Sequence, residues 1–182
     1  MLAAVESFAR RGYHATTTRD IAGAAGMSPA ALYVHFPSKA ALLFRISQSG
    51  HEQTLTLVES VARRDENPRE KMRKIVEDFV AWHARRHLVA RVVQYEFQAL
   101  PEKEYAVIAD LRRQIEHRVR DVIAEGAEEG VFRVSDVRTA ARAVLSLGVD
   151  VARWYTERTS KTPKSLGRDY AELVLRMLGA TA

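Results

Sequence analysis

The stretch from Thr17 to Lys39, TTRDIAGAAGMSPAALYVHFPSK, carries start and stop signals for two helices in quick succession. Thr17 suits an N-cap, and Asp20 three residues later supplies the reciprocal acceptor of a capping box. Ile21, Ala22 and Ala25 then recur at helical spacing. Gly26 stands where a left-handed residue ends the helix. Ser28 caps a second helix with Pro29 at its first position, where a missing N–H costs nothing. Leu32 and Phe36, four apart, give this helix its inward face, and Tyr33 and His35 are read as lying opposite them. The small residues Ala22, Ala24, Ala25, Ala30 and Ala31 let two short helices cross closely. Two short helices joined by a glycine turn make a helix-turn-helix, a unit whose second helix enters the major groove of DNA.

The rest of the chain reads as helices. Residues 2–11 form an amphipathic helix with Val5, Phe8 and Ala9 inward, ended by Gly12. Pro37 breaks the chain, and Ser38 caps a long helix running to about Ala62. Arg63 to Pro68 is a polar loop in which Asn67 caps the next helix, from about Arg69 to Arg86. A short helix spans His87 to Ala99, before Pro101. Tyr105, Ile108, Leu111, Ile115, Val119, Val122 and Ile123 mark a further helix whose end frays at Gly126 and Gly130. Ser135 or Asp136 caps the apolar stripe from Val137 to Tyr155, and after a polar loop Ser165 starts the last helix, through Leu178. No segment has the period-two pattern of a strand. The fold expected is all-α, with about nine helices.

Composition sets the outer bounds. With 182 residues the chain can bury a substantial core, and with no cysteine it has no disulfide or thiolate metal site. No apolar run is long enough to span a bilayer and no signal peptide is visible, so the expectation is a soluble, cytoplasmic protein. The net charge of +5 suits a polyanionic partner. Up to Ser49 the charges are Arg10, Arg11, Arg19, Lys39 and Arg45 against Glu6 and Asp20.

The run G-Y-x-x-T-T-x-x-x-I-A-x-x-A-G-M-S-x-A-x-L-Y-x-H-F-x-S-K, Gly12 to Lys39, resembles the DNA-binding domain of the tetracycline-repressor (TetR) family. The match is long, gapless and confined to the first quarter of the chain. Beyond Leu43 the likeness is one of helical layout. Ala40 departs from the pattern, since the family often has an acidic residue there. Members usually also have a longer first helix preceded by a basic arm, and no arm contact to the minor groove is assigned here. The resemblance implies a DNA-binding domain over 1–46 and an effector-binding and dimerisation domain over 47–182. It implies a double-stranded operator, a small-molecule effector and a homodimer as partners, with no cofactor, no metal and no membrane.

On the same grounds Thr17, Thr18, Arg19, Ser28, Pro29, Ala30, Ala31, Tyr33, His35 and Lys39 are the candidate DNA contacts. Thr17 and Ser28 each have a second reading as plain helix caps. Ala30 and Ala31 suit a thymine methyl or close approach. Lys39 resembles the family's phosphate-contacting lysine, a point charge that positions without specifying sequence. No Arg, Asn or Gln on the second helix can grip a base in bidentate fashion.

Phe79, Trp82, His83, Tyr95 and Trp154 are the candidate ligand-binding residues, each with a structural alternative as core. Arginine pairs such as Arg85-Arg86 and Arg112-Arg113 suit an anionic group, so the expected effector is a small hydrophobic or acyl-type molecule such as an acyl-CoA. The resemblance implies a dimer interface built from the last two helices, and the small residues Ala140, Ala141, Ala143, Gly148 and Ala152, which permit close approach, agree with it. The chain is read as a repressor rather than an enzyme. The competing reading is a helical metal-binding or enzymatic bundle without DNA binding. His83 and His87 have chelating spacing, but Arg85 and Arg86 lie between them and no glutamate of a zinc-protease helix is present.

Overall fold

The computed structural model describes residues 1–180, and among these it is helical throughout, with nine α-helices and no strand. They are α1 (Leu2–Arg11), α2 (Thr18–Ala24), α3 (Pro29–His35), α4 (Lys39–Ala62), α5 (Pro68–Arg85), α6 (His87–Tyr95), α7 (Glu102–Glu128), α8 (Val137–Trp154) and α9 (Pro163–Met177). A 3₁₀ turn at Phe97–Ala99 separates α6 from α7, where a helix continuous to Ala99 was expected. Among the described residues no helix is long and apolar enough to cross a membrane.

Packing divides the chain into two units. The first comprises Met1–Glu52 and Leu88–Asp110; the second comprises Gln53–His87 and the chain from Leu111 onward. The sequence suggests a boundary after residue 46, but by packing the first unit runs six residues further and takes in a segment from the middle of the chain. Local patterning cannot announce that, because the segment joins the first unit only through contacts distant in sequence.

In the first unit, Ala4, Val5 and Phe8 of α1 are buried together with Ile21, Ala22, Leu32, Leu42, Leu43 and Ile46. The Phe8 ring lies 5.4 Å from that of Tyr13, just beyond the glycine that ends α1. α2 packs on both α1 and α3.

In the second unit α5 is the central element and packs on α9 and α8. Met72, Ile75, Val76, Phe79 and Val80 meet Val144 and Val151 of α8, Ala171, Val174 and Leu175 of α9, and Val119, Val122 and Ile123 of α7. Two glycines permit this closeness. A methyl group at Gly167 would come within 2.4 Å of the Glu77 carbonyl oxygen, and one at Gly148 within 2.6 Å of the Phe79 ring. Gly126 does not mark a fraying end. It lies inside α7, and Phe132 folds back over it so closely that a methyl there would be 2.2 Å from the ring. α9 starts two residues earlier than expected, at Pro163, because the Thr162 hydroxyl accepts from the Ser165 N–H and proline occupies the first position. Of the two candidate caps for α8, Asp136 is the one used.

Candidate nucleic-acid interface

The helix-turn-helix is built from local hydrogen bonds. Thr17 and Asp20 form the capping box: the Asp20 N–H donates to the Thr17 hydroxyl oxygen at 3.1 Å, and the Thr17 N–H donates to the Asp20 carboxylate at 2.8 Å. The Thr17 hydroxyl also donates to that carboxylate, at 2.6 Å. These bonds hold the Asp20 carboxyl below the usual carboxylate range, with the Arg11 guanidinium 3.2 Å away adding to the effect. α2 then closes in a Schellman turn. The Met27 N–H donates to the Ala22 carbonyl at 3.0 Å, the Gly26 N–H to that of Gly23 at 3.1 Å, and Gly26 is left-handed with φ 67°. The Ser28 hydroxyl accepts from the Ala31 N–H at 3.2 Å and starts α3. Both Thr17 and Ser28 therefore serve as caps, one of the two readings open to each.

Thr18 and Arg19 open α2. The Thr18 Oγ1 lies 3.1 Å from the Tyr33 Oη, so a pair of hydroxyls links the start of α2 to the side of α3. Pro29, Ala30, Tyr33 and His35 are exposed, and Ala31 is half-buried. The inward face of α3 is Leu32, buried, with Phe36 half-buried at its C-cap. Tyr33 and His35 were read as lying opposite this face, but they flank it. The side chain opposite is Val34, 82% exposed and absent from the expected contacts. The signal was available: Val34 is two residues from both Leu32 and Phe36, about 200° from each at 3.6 residues per turn.

Lys39 departs most from expectation. Its Nζ donates to the carbonyl oxygens of Tyr13 at 2.7 Å, Thr16 at 2.9 Å and His14 at 3.4 Å, and stands 4.2 Å from the centroid of the Tyr13 ring. An ammonium group has three protons, and here three carbonyls of the α1–α2 loop receive them. Lys39 thus ties the start of α4 to the loop that sets the Thr17 cap. The neighbouring Thr16 hydroxyl, fully buried, holds the same loop by hydrogen bonding to the Gly12 and Ser7 carbonyls at 2.7 and 3.2 Å.

The candidate ligand residues divide. Phe79, Trp82 and His83 come together on α5, the His83 ring 4.2 Å from that of Phe79 and 4.9 Å from that of Trp82. The His83 Nδ1 lies 2.8 Å from the Phe79 carbonyl oxygen, and the Trp82 Nε1 donates to Gln53 at 3.4 Å. A cavity lined by Ile75, Phe79, Val144, Gly148, Tyr170 and neighbours measures only about 10 Å³, room for no more than a water molecule. Trp154 does not join this group. Tyr95 is 54% exposed in the first unit, and Trp154 is exposed at the end of α8. The His87 Nδ1 lies 3.1 Å from the Ala84 carbonyl oxygen. Among the described residues no three His, Cys, Asp or Glu side chains are grouped to hold a metal.

Residues 1–46 match the sequence model of the bacterial regulatory proteins of the tetR family, and residues 65–178 match that of a tetracyclin repressor-like C-terminal domain. The HTH-type transcriptional repressor KstR2 of Mycobacterium tuberculosis is 30% identical over 176 residues, covering 94% of this chain and 87% of its own. Among solved structures, a regulatory protein in the tetR family from Rhodococcus RHA1 superposes with a TM-score of 0.93 at 40% identity, over 100% of this chain and 95% of that one. The ketosteroid transcriptional regulator KstR2 of Mycobacterium tuberculosis superposes with a TM-score of 0.90 at 28% identity, over 100% and 92% of the two chains.

Proposed function

The chain belongs to the tetR family of bacterial regulatory proteins, a ligand-responsive, DNA-binding group, and we propose that it is a homodimeric repressor of a palindromic operator. The observation that carries the DNA-binding part is the doubly capped α2–α3 pair, which leaves Arg19, Tyr33 and His35 exposed, with Thr18 half-buried beside Tyr33. Thr18, Arg19 and Tyr33 suit phosphates, which position the protein, whereas the exposed side of α3 faces base edges. KstR2 is named a repressor, which favours repression here.

The dimer reading is supported by apolar side chains that α8 and α9 leave uncovered. Leu147 and Trp154 lie two turns apart on α8, and Leu173 and Met177 one turn apart on α9; all four are exposed. A two-fold interface over them would set two copies of α3 about one DNA turn apart, ~34 Å. The effector is a small apolar or acyl-type molecule. A relative named as a ketosteroid transcriptional regulator supports an apolar class. Release from DNA then follows from a difference in ligand affinity between operator-competent and incompetent states; a ligand with equal affinity for both does nothing. The protein acts in the cytoplasm, where its operator lies, and has no catalytic role.

Native mass spectrometry of the purified full chain tests the assembly and the effector together. A dimer carrying an additional small mass is the expected result, and a monomer overturns the dimer reading. Operator affinity is then measured with and without the extracted molecule at saturation. Equal affinities overturn the switch.

A further inference from the structure

The geometry points to Val34 as the residue that reads base sequence, by packing its methyl groups against the 5-methyl group of a thymine. This rests on the reading that α3 docks in the major groove, and adds the base and the atom recognised.

Four observations carry it. Val34 is the most exposed large hydrophobic side chain among the described residues, at 82%. It projects away from Leu32 and Phe36, which turn inward, so it lies at the apex of the face that α3 turns outward. The turn before it on that face is Ala30 and Ala31, too short to hold a base edge away from it. The polar side chains of α3, Tyr33 and His35, stand about 100° to either side of it, and the Tyr33 hydroxyl is already 3.1 Å from that of Thr18.

The centre of the face is therefore apolar, with polar groups only at its margins. In the major groove adenine, guanine and cytosine present donors and acceptors, and only thymine presents a methyl group. A polar base edge packed against Val34 would lose water and gain no hydrogen bond, whereas a thymine methyl loses nothing and buries apolar surface. A β-branched residue here also gives α3 no advantage in helix propensity.

The test begins with selection of an operator from random duplexes by the full-length wild-type protein. Each thymine of that operator is then replaced singly by deoxyuridine, which lacks only the 5-methyl group, and binding of wild type and Val34→Ala is compared. One thymine in each half-site is expected to lose about four- to fivefold in wild-type affinity on replacement, the worth of one buried methyl, and to lose nothing further in Val34→Ala. If no replacement weakens the wild type, or the loss is the same in Val34→Ala, the inference fails while the regulator reading stands. If no duplex is enriched at all, the DNA-binding reading fails and this inference with it. In the wild-type arm the change is made in the DNA alone, so a wild type that no deoxyuridine replacement weakens overturns the inference however the variant folds.

Discussion

Lys39, read from its motif as a phosphate contact, is also a structural tie. Its ammonium group is surrounded by the carbonyls of Tyr13, His14 and Thr16 rather than directed outward. Removing it leaves those oxygens short of a charged donor, a loss of about 1–3 kcal/mol. Lys39→Ala is therefore expected to lower the melting temperature and weaken operator binding while leaving the salt dependence of binding unchanged. A phosphate-contacting lysine would instead reduce the slope of log K against log salt by about one. Affinity measured across a salt series, beside a thermal melt, separates the two roles. The lysine was legible in the sequence, its partners were not, because three carbonyls more than twenty residues away become acceptors only once the loop has folded.

At the scale of the element, the caps were the most legible feature, since each is decided within four residues. Thr17, Asp20, Ser28 and Asn67 cap as their side chains suggest, and Gly26 takes the left-handed backbone that its lack of a side chain permits. The pH response of α2 follows from one of them. The Asp20 carboxyl titrates below its ordinary range when folded, so it contributes stability at neutral pH that disappears as the pH falls through the folded value. Asp20→Asn is expected to melt below wild type at neutral pH, the two curves converging as the pH drops below the carboxylate range, ~4. Melts recorded between neutral and strongly acid pH check this; a gap that stays constant would mean the charge of Asp20 contributes nothing. The crossing of α5 and α9 is a second element-scale feature. Gly167→Ala forces a methyl against the Glu77 carbonyl and is expected to cost about 1–3 kcal/mol, read by denaturant unfolding. Glycine at that position carries no local signal, because it is neither at a turn nor left-handed.

At the scale of the whole molecule, the proposed dimer rests on the uncovered side chains of α8 and α9. The small residues expected to form the dimer interface are largely used within the chain: Ala141, Gly148 and Ala152 are buried, and Gly148 lies under Phe79. The large apolar side chains that these two helices leave exposed are Leu147, Trp154, Leu173 and Met177. Leu147→Glu and Leu173→Glu are each expected to shift the protein toward monomer, measured by sedimentation, and to weaken operator binding by at least tenfold through loss of the second half-site. A variant that stays dimeric would move the interface elsewhere. Because both positions are solvent-exposed in the single chain, neither change should disturb its fold.

The sequence by itself determined the helices and most of their ends, because capping, glycine termination and 3.6-residue periodicity are settled by neighbours a few positions apart. It also determined the family, through one unbroken run from Gly12 to Lys39. Only the tertiary structure decided which polar atoms Lys39 serves, that Gly126, Gly148 and Gly167 are required by close approach, and that Phe79, Trp82 and His83 gather while Trp154 stays exposed. Those outcomes depend on contacts between residues distant in the chain, which are fixed only when the helices have packed.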